Sequence, residues 1–223
     1  MSKLLKTIAT SAICGSLLLS STAFAGGQRM YEVTVTNITK GEIFTPILVA
    51  STHRGVKLFK QGTAASTDLE IIAESGNNGP LADSLISGGH ALDTASAQGG
   101  LLPGASLTLT VKMNEKYSYV TVASMLVPSN DAFFAVNGIH GPRENHTLTL
   151  TSPAYDAGTE VNDELCANIP GPGFICKGEG YNAASGEGYV YTHAGIQGNG
   201  DLVKADHDFR NPVAIITIKQ IKK

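Results

Sequence analysis

The chain has 223 residues, with 16 basic and 19 acidic side chains and a net charge of −3. That balance excludes the basic face that nucleic-acid binding needs, and excludes simple attraction to anionic lipid unless a metal changes the local sign. The length suits a single all-β domain.

Residues 1–25 read as a signal peptide. Lys3 and Lys6 supply the positive start, an apolar run covers positions 8–19, and Ala23-Phe24-Ala25 is a small-x-small cleavage signal. The apolar run is too short to span a bilayer, and no later stretch reaches the required length, so no transmembrane segment is expected. Cleavage removes two lysines and no acid, leaving residues 26–223 as one domain with 14 basic and 19 acidic groups, net −5. The expected location is periplasmic or secreted.

Met30 to Asn37 alternates, with Tyr31, Val33 and Val35 on one side and Glu32, Thr34 and Thr36 on the other, as a half-buried strand does. Ile43 to Ala50 is a second apolar run, which Pro46 demotes to an edge or marks as a bulge. Val56 to Phe59 reads as a short strand or a turn. Thr67, with Glu70 three residues on, has the form of a capping box. Leu69, Ile72 and Ala73 follow at helical spacing, and Gly76 stops the pattern, so one short helix is expected. Gly76 to Gly104, rich in small residues, reads as a long loop with small elements.

Ala105 to Met113 is the clearest strand, with Leu107, Leu109, Val111 and Met113 on one face. Asn114-Glu115-Lys116 is of hairpin length. Tyr117 to Val127 is apolar on both faces and therefore central to a sheet. Short strands follow at Ala132 to Val136 and at His146 to Leu150, and Val213 to Ile221 is the last. Between them, the glycine-dense stretch from Gly178 to Gly200 belongs on the surface. Cys166 and Cys176 flank a loop containing Pro170, Gly171, Pro172 and Gly173. Export makes a disulfide the default, and two thiols ten apart without a nearby histidine do not match zinc spacing.

Three carboxylates carry the chemistry. Asp131 follows a Pro-Ser-Asn turn, and Asp156 and Glu160 flank Ala-Gly-Thr. If both loops lie at one end of a sheet, the three oxygen donors suit a hard cation such as Ca2+, and Gly158 permits the tight path between positions 156 and 160. The plain alternative is turn chemistry, which Asp serves routinely. His193 and His207, with Asp201, Asp206 and Asp208, have no HxH or HExxH spacing that would mark a metal site. No GxSxG elbow accompanies Ser129 or Ser185.

Three segments, VPSNDAFFAVNG, SPAYDAGTE and PVAIITIKQI, together resemble the spondin domain of the F-spondin family. DAGT is the most specific piece. The resemblance extends from Tyr31 to Lys222 and implies a C2-like antiparallel β-sandwich with long loops. It also implies one calcium ion held by Asp131, Asp156 and Glu160. The chain departs from the family pattern at Asn130, in place of a second proline, at Ala132, in place of tryptophan, and at Glu160, in place of aspartate. Loss of the tryptophan predicts a less rigidly packed loop. The functional expectation is a non-enzymatic, calcium-dependent interaction or adhesion module that binds a protein, glycan or lipid surface. Two alternatives stand beside it: a hydrolase with its site in the 178–208 loops, and a structural envelope protein without metal.

Overall fold

The computed structural model describes residues 27–181 and 186–221. The segment 1–25 expected as a signal peptide, Ser185 and the terminal Lys222-Lys223 lie outside the described residues. Eleven strands and three helices are present among those described. They are β1 (Arg29–Asn37), β2 (Ile43–Phe44), β3 (Leu48–Thr52), α1 (Thr67–Ser75), α2 (Gly79–Ser87), β4 (Ala91–Ser96), β5 (Ser106–Met113), β6 (Tyr119–Val127), β7 (Ala132–His140), β8 (Thr147–Ser152), β9 (Ala154–Asp156), β10 (Tyr191–Thr192), α3 (Lys204–His207) and β11 (Ala214–Ile221).

They form two antiparallel sheets, the all-β sandwich expected. One has the order β5-β1-β11-β8. The other runs β10-β9-β7-β6-β3-β4, with β2 also paired to β6. Alternation in β1 turns Tyr31, Val33 and Val35 inward, where they meet Val111, Ile216 and Ile218 of the same sheet. Phe44, Val122 and Phe134 of the second sheet close this core. The other face of the second sheet is covered by helices: Leu69 and Ile72 of α1 and Leu81 and Leu85 of α2 pack on Leu48, Ala50, Phe133 and Ala135. That double cover explains why β6 is buried almost from end to end and lies inside the sheet, as its apolar sequence implies.

Several local expectations change. The run from Ile43 breaks at Thr45–Ile47, and Pro46 sits in the break, where no ladder N–H is lost. The second half, β3, is interior, between β4 and β6. The N-cap of α1 is Ser66, not Thr67: its side chain accepts from the Leu69 backbone N–H at 3.4 Å. The helix ends as expected on Gly76, at φ 68°, whose N–H reaches the Ile72 carbonyl at 2.8 Å. The stretch expected as loop after Gly76 contains α2 and β4. Pro80 in the first turn of α2 suits a position where no intrahelical donor is needed. The Asn114–Lys116 connection is not a hairpin, because β5 pairs with β1 in one sheet while β6 lies in the other. It carries the chain across the sandwich. Positions 56–59 form no strand, although Leu58 and Phe59 are buried.

Candidate functional site

The site is built where β7 begins and β9 ends. The register pairs Ala132 with Asp156, which brings the Asp131 turn beside the Asp156–Glu160 loop. The Ala157 N–H donates to the Asp131 carbonyl at 3.2 Å and closes the contact. Gly158 has φ 69°, and a Cβ there would stand 2.3 Å from the Tyr189 carbonyl oxygen. Only glycine lets the loop pass so close to the chain entering β10.

Asp131 is wholly buried. Its Oδ2 accepts from the Thr159 N–H at 2.8 Å and the Glu160 N–H at 3.2 Å. Its Oδ1 is buried and receives no N–H donor, and the Asp131 and Asp156 carboxyls lie close enough to share a proton. A buried acceptor left this way costs the fold free energy. Burial pushes the Asp131 carboxyl up to about 7, and the nearby Asp156 charge adds to that rise. Asp156 is buried too and is also raised by desolvation, against the donors that hold it. The Gly158 N–H donates to its Oδ1 at 2.8 Å, and Asn162 Nδ2 donates to its Oδ2 at 2.7 Å. Glu160 rises to about 8, first through burial, then through the charges of Glu74 and Asp131. The structure thus brings together all three acidic residues singled out from the sequence, in a setting that penalises their charges. Among the described residues, no three His, Cys, Asp or Glu side chains are disposed as ligands of one ion. Three of the four Asp131 and Asp156 oxygens already hold N–H donors, and Glu160 also senses the Glu74 charge.

Four neighbours complete the cluster, of which Glu74 and Asn162 carry no signal in the sequence. Glu74, on α1, is 1 % exposed, and no local signal marks it. Asn130 accepts from the Glu164 N–H at 3.1 Å and donates to Asp163 Oδ1 at 3.1 Å, tying the 160s loop to the Asp131 turn. Asn162 donates to both Asp156 and the Tyr191 hydroxyl. His193 is buried, not an exposed loop histidine, and burial lowers it to about 4. Its Nδ1 accepts from the Gly195 N–H at 2.9 Å, so the ring proton sits on Nε2. That nitrogen lies 3.2 Å from Asn162 Oδ1 and 3.7 Å from Asp156 Oδ2. His193 therefore donates as a neutral ring to Asn162, which in turn holds Asp156.

His207 lies elsewhere, against the buried Glu42 at 3.5 Å. Ala132 is fully buried, and Ser129 Oγ bridges the Leu126 carbonyl and the Ala132 N–H. Polar links through Ser129 and Asn130 hold this turn. Cys166 and Cys176 form the expected disulfide.

The Spondin_N family model matches residues 36–163, more than half of the chain. The chain belongs to the Spondin_N family. No curated protein matches it. The Spondin_N match contains Asp131, Asp156 and Glu160, while the disulfide, β10 and β11 lie beyond it. The similarity to the last strand that is visible by eye falls outside the matched stretch. Spondin_N domains are extracellular, non-catalytic interaction modules. No helix among the described residues is long and apolar enough to cross a membrane. The disulfide accords with export.

Proposed function

We propose that this Spondin_N domain is a calcium-dependent interaction module, exported to the periplasm or secreted. The ion orders the loops around Asp131, Asp156 and Glu160, which then engage a protein, glycan or lipid surface. The observation that carries the reading is the buried Asp131 Oδ1, which receives no N–H donor and sits among carboxyls whose affinity for protons is raised. Carboxyls raised in this way carry charges that burial penalises. A hard dication compensates such charges, and oxygen is its preferred donor.

The residue types suit such an ion, but as they stand the three side chains are not grouped around one point, so binding would require them to turn toward it. Asp131, Asp156 and Glu160 would hold it, with backbone carbonyls and water completing a shell of six to eight oxygens. Bound calcium would supply charge neutralisation and nothing redox-active. The chain's own part is to exclude water from Asp131, to orient Asp156 through Asn162 and His193, and to couple the two loops through Asn130. Three carboxylates without a dedicated cage suit an extracellular-type site, with a dissociation constant on the order of 10⁻⁴–10⁻³ M.

Calorimetric titration of the purified protein with calcium tests the reading. One equivalent bound by the wild type, and weakened at least tenfold by Asp156→Asn, is the result we expect. No heat of binding up to about 10 mM, from folded protein, would leave the acidic residues as turn chemistry.

A further inference from the structure

We propose that His53 and His90 form a separate binding site for a transition-metal dication such as zinc. The two residues lie just beyond β3 and just before β4, which pair in the second sheet. The His53 N–H donates to the His90 carbonyl at 3.1 Å, so the backbone holds them opposite one another. Their rings meet across the strands: His90 Nδ1 is 3.4 Å from His53 Nε2, with ring centroids 5.6 Å apart.

The protonation of His53 follows from its other nitrogen. Its Nδ1 lies 2.8 Å from the Arg54 carbonyl oxygen, which can only accept. That nitrogen therefore carries the proton, and the lone pair of Nε2 points at His90. Metal-bound histidines take this same form, with one nitrogen free for the ion and the other donating to a carbonyl. The His90 ring is backed by the Gly88 backbone, where a Cβ would stand 2.7 Å from Cδ2. Tyr117, whose hydroxyl donates to the Gly89 carbonyl at 3.1 Å, fixes the turn leading into His90.

The nitrogen separation suits two states of the pair. At 3.4 Å, His90 Nδ1–H makes a long hydrogen bond to His53 Nε2 when no metal is bound, and an ion would take the place of that proton. Two nitrogens that each lie ~2.0–2.1 Å from a tetrahedral zinc are about 3.3–3.4 Å apart. The observed spacing needs almost no adjustment to admit the ion between them.

His53 and His90 also line a groove of about 540 Å³, together with Lys57, Ser66, Asp68 and Ser84. Among the described residues, no third His, Cys, Asp or Glu joins the pair as a ligand. The remaining coordination positions therefore face the groove, open to water or to a donor group of an incoming molecule. Imidazole nitrogens favour zinc, copper or nickel over calcium, so this site and the acidic cluster select different ions. The proposal does not rest on the calcium reading.

Titration of the purified protein with zinc chloride, in excess calcium to saturate oxygen sites, tests it. We expect one zinc equivalent that His53→Ala or His90→Ala weakens at least tenfold, and that His146→Ala and Asp131→Asn leave unchanged. Melting in chelator checks that each variant is folded. Addition of trace Cu2+ to the wild type, read by broadening of imidazole proton resonances, needs no substitution. Broadening confined to His53 and His90 supports the site. Zinc uptake that is absent, or unchanged in both histidine variants, overturns it, as does broadening centred on His140 or His146.

Discussion

At the residue scale, Asp131 separates two roles that a single substitution can distinguish. As a buried carboxyl beside Asp156, it destabilises the metal-free protein at neutral pH, where its charge is uncompensated. As a ligand, it stabilises the calcium-loaded protein. Asp131→Asn should therefore raise the melting temperature in chelator, or leave it unchanged, while abolishing the rise produced by calcium. Parallel melts with and without calcium check both signs. Glu42 makes a comparable case with no calcium expected. It is fully buried beside His207, at 3.5 Å, too far for a strong hydrogen bond, and burial lifts it to about 7. Holding a carboxyl that far above 4.5 costs the fold roughly 3 kcal/mol when both states ionise. Glu42→Gln should recover part of that above pH 7, measurable by denaturant unfolding at about pH 8, and should not alter calcium binding.

At the element scale, α1 shows what the sequence made legible and what it did not. The apolar spacing of Leu69, Ile72 and Ala73 and the stop at Gly76 place the helix and its buried face. The cap was misplaced by one residue because Ser66 and Thr67 are both good capping residues, and only backbone conformation selects between them. Ser66→Ala should cost about 1 kcal/mol in urea unfolding, and Thr67→Ala much less. The strands of β1, β5, β6 and β11 were legible because each shows a two-residue alternation or a double-sided apolar run. Helix α2 was not, because glycines and small residues bracket it and mask the start signal that Asn78 at the N-cap and Pro80 in the first turn supply. Nor was the β5–β6 crossover, since a short connection, here residues 114–118, has the same length whether it joins strands within a sheet or between sheets. The acidic trio was legible as turn chemistry with a family resemblance. Its braces were not: Asn130, Asn162 and His193 are ordinary polar residues in sequence, and only the fold brings 130, 162 and 193 together. The Cys166–Cys176 bridge closes a ten-residue separation, for which reduction should cost ~2–3 kcal/mol. Melting with and without reductant reads that cost.

At the scale of the whole molecule, the raised carboxyls make stability depend on pH in a way that calcium should reverse. Asp131, Glu160 and Glu42 have folded values of about 7, 8 and 7, above their ordinary values of 3.8, 4.5 and 4.5. Between the two values the folded state keeps a proton that the unfolded chain has lost. The stability these groups contribute is therefore complete below about pH 4 and is lost as pH rises to about 8. His193 acts oppositely: lowered from 6.5 to about 4, it adds stability as pH rises between those values. Three acids outweigh one histidine, so melting in chelator should fall between about pH 5 and pH 8. Saturating calcium should remove the share belonging to Asp131 and Glu160, leaving that of Glu42.

The most direct test of the acidic cluster as a cation site is thermal unfolding at neutral pH, in chelator and across a calcium series. At calcium a hundredfold above the dissociation constant, linkage adds ~2.7 kcal/mol, which corresponds to about 5–10 °C in a domain of this size. The account predicts that rise in the wild type and its loss in Asp131→Asn. A flat response in the wild type up to about 10 mM calcium, or an equal rise in the variant, would contradict it.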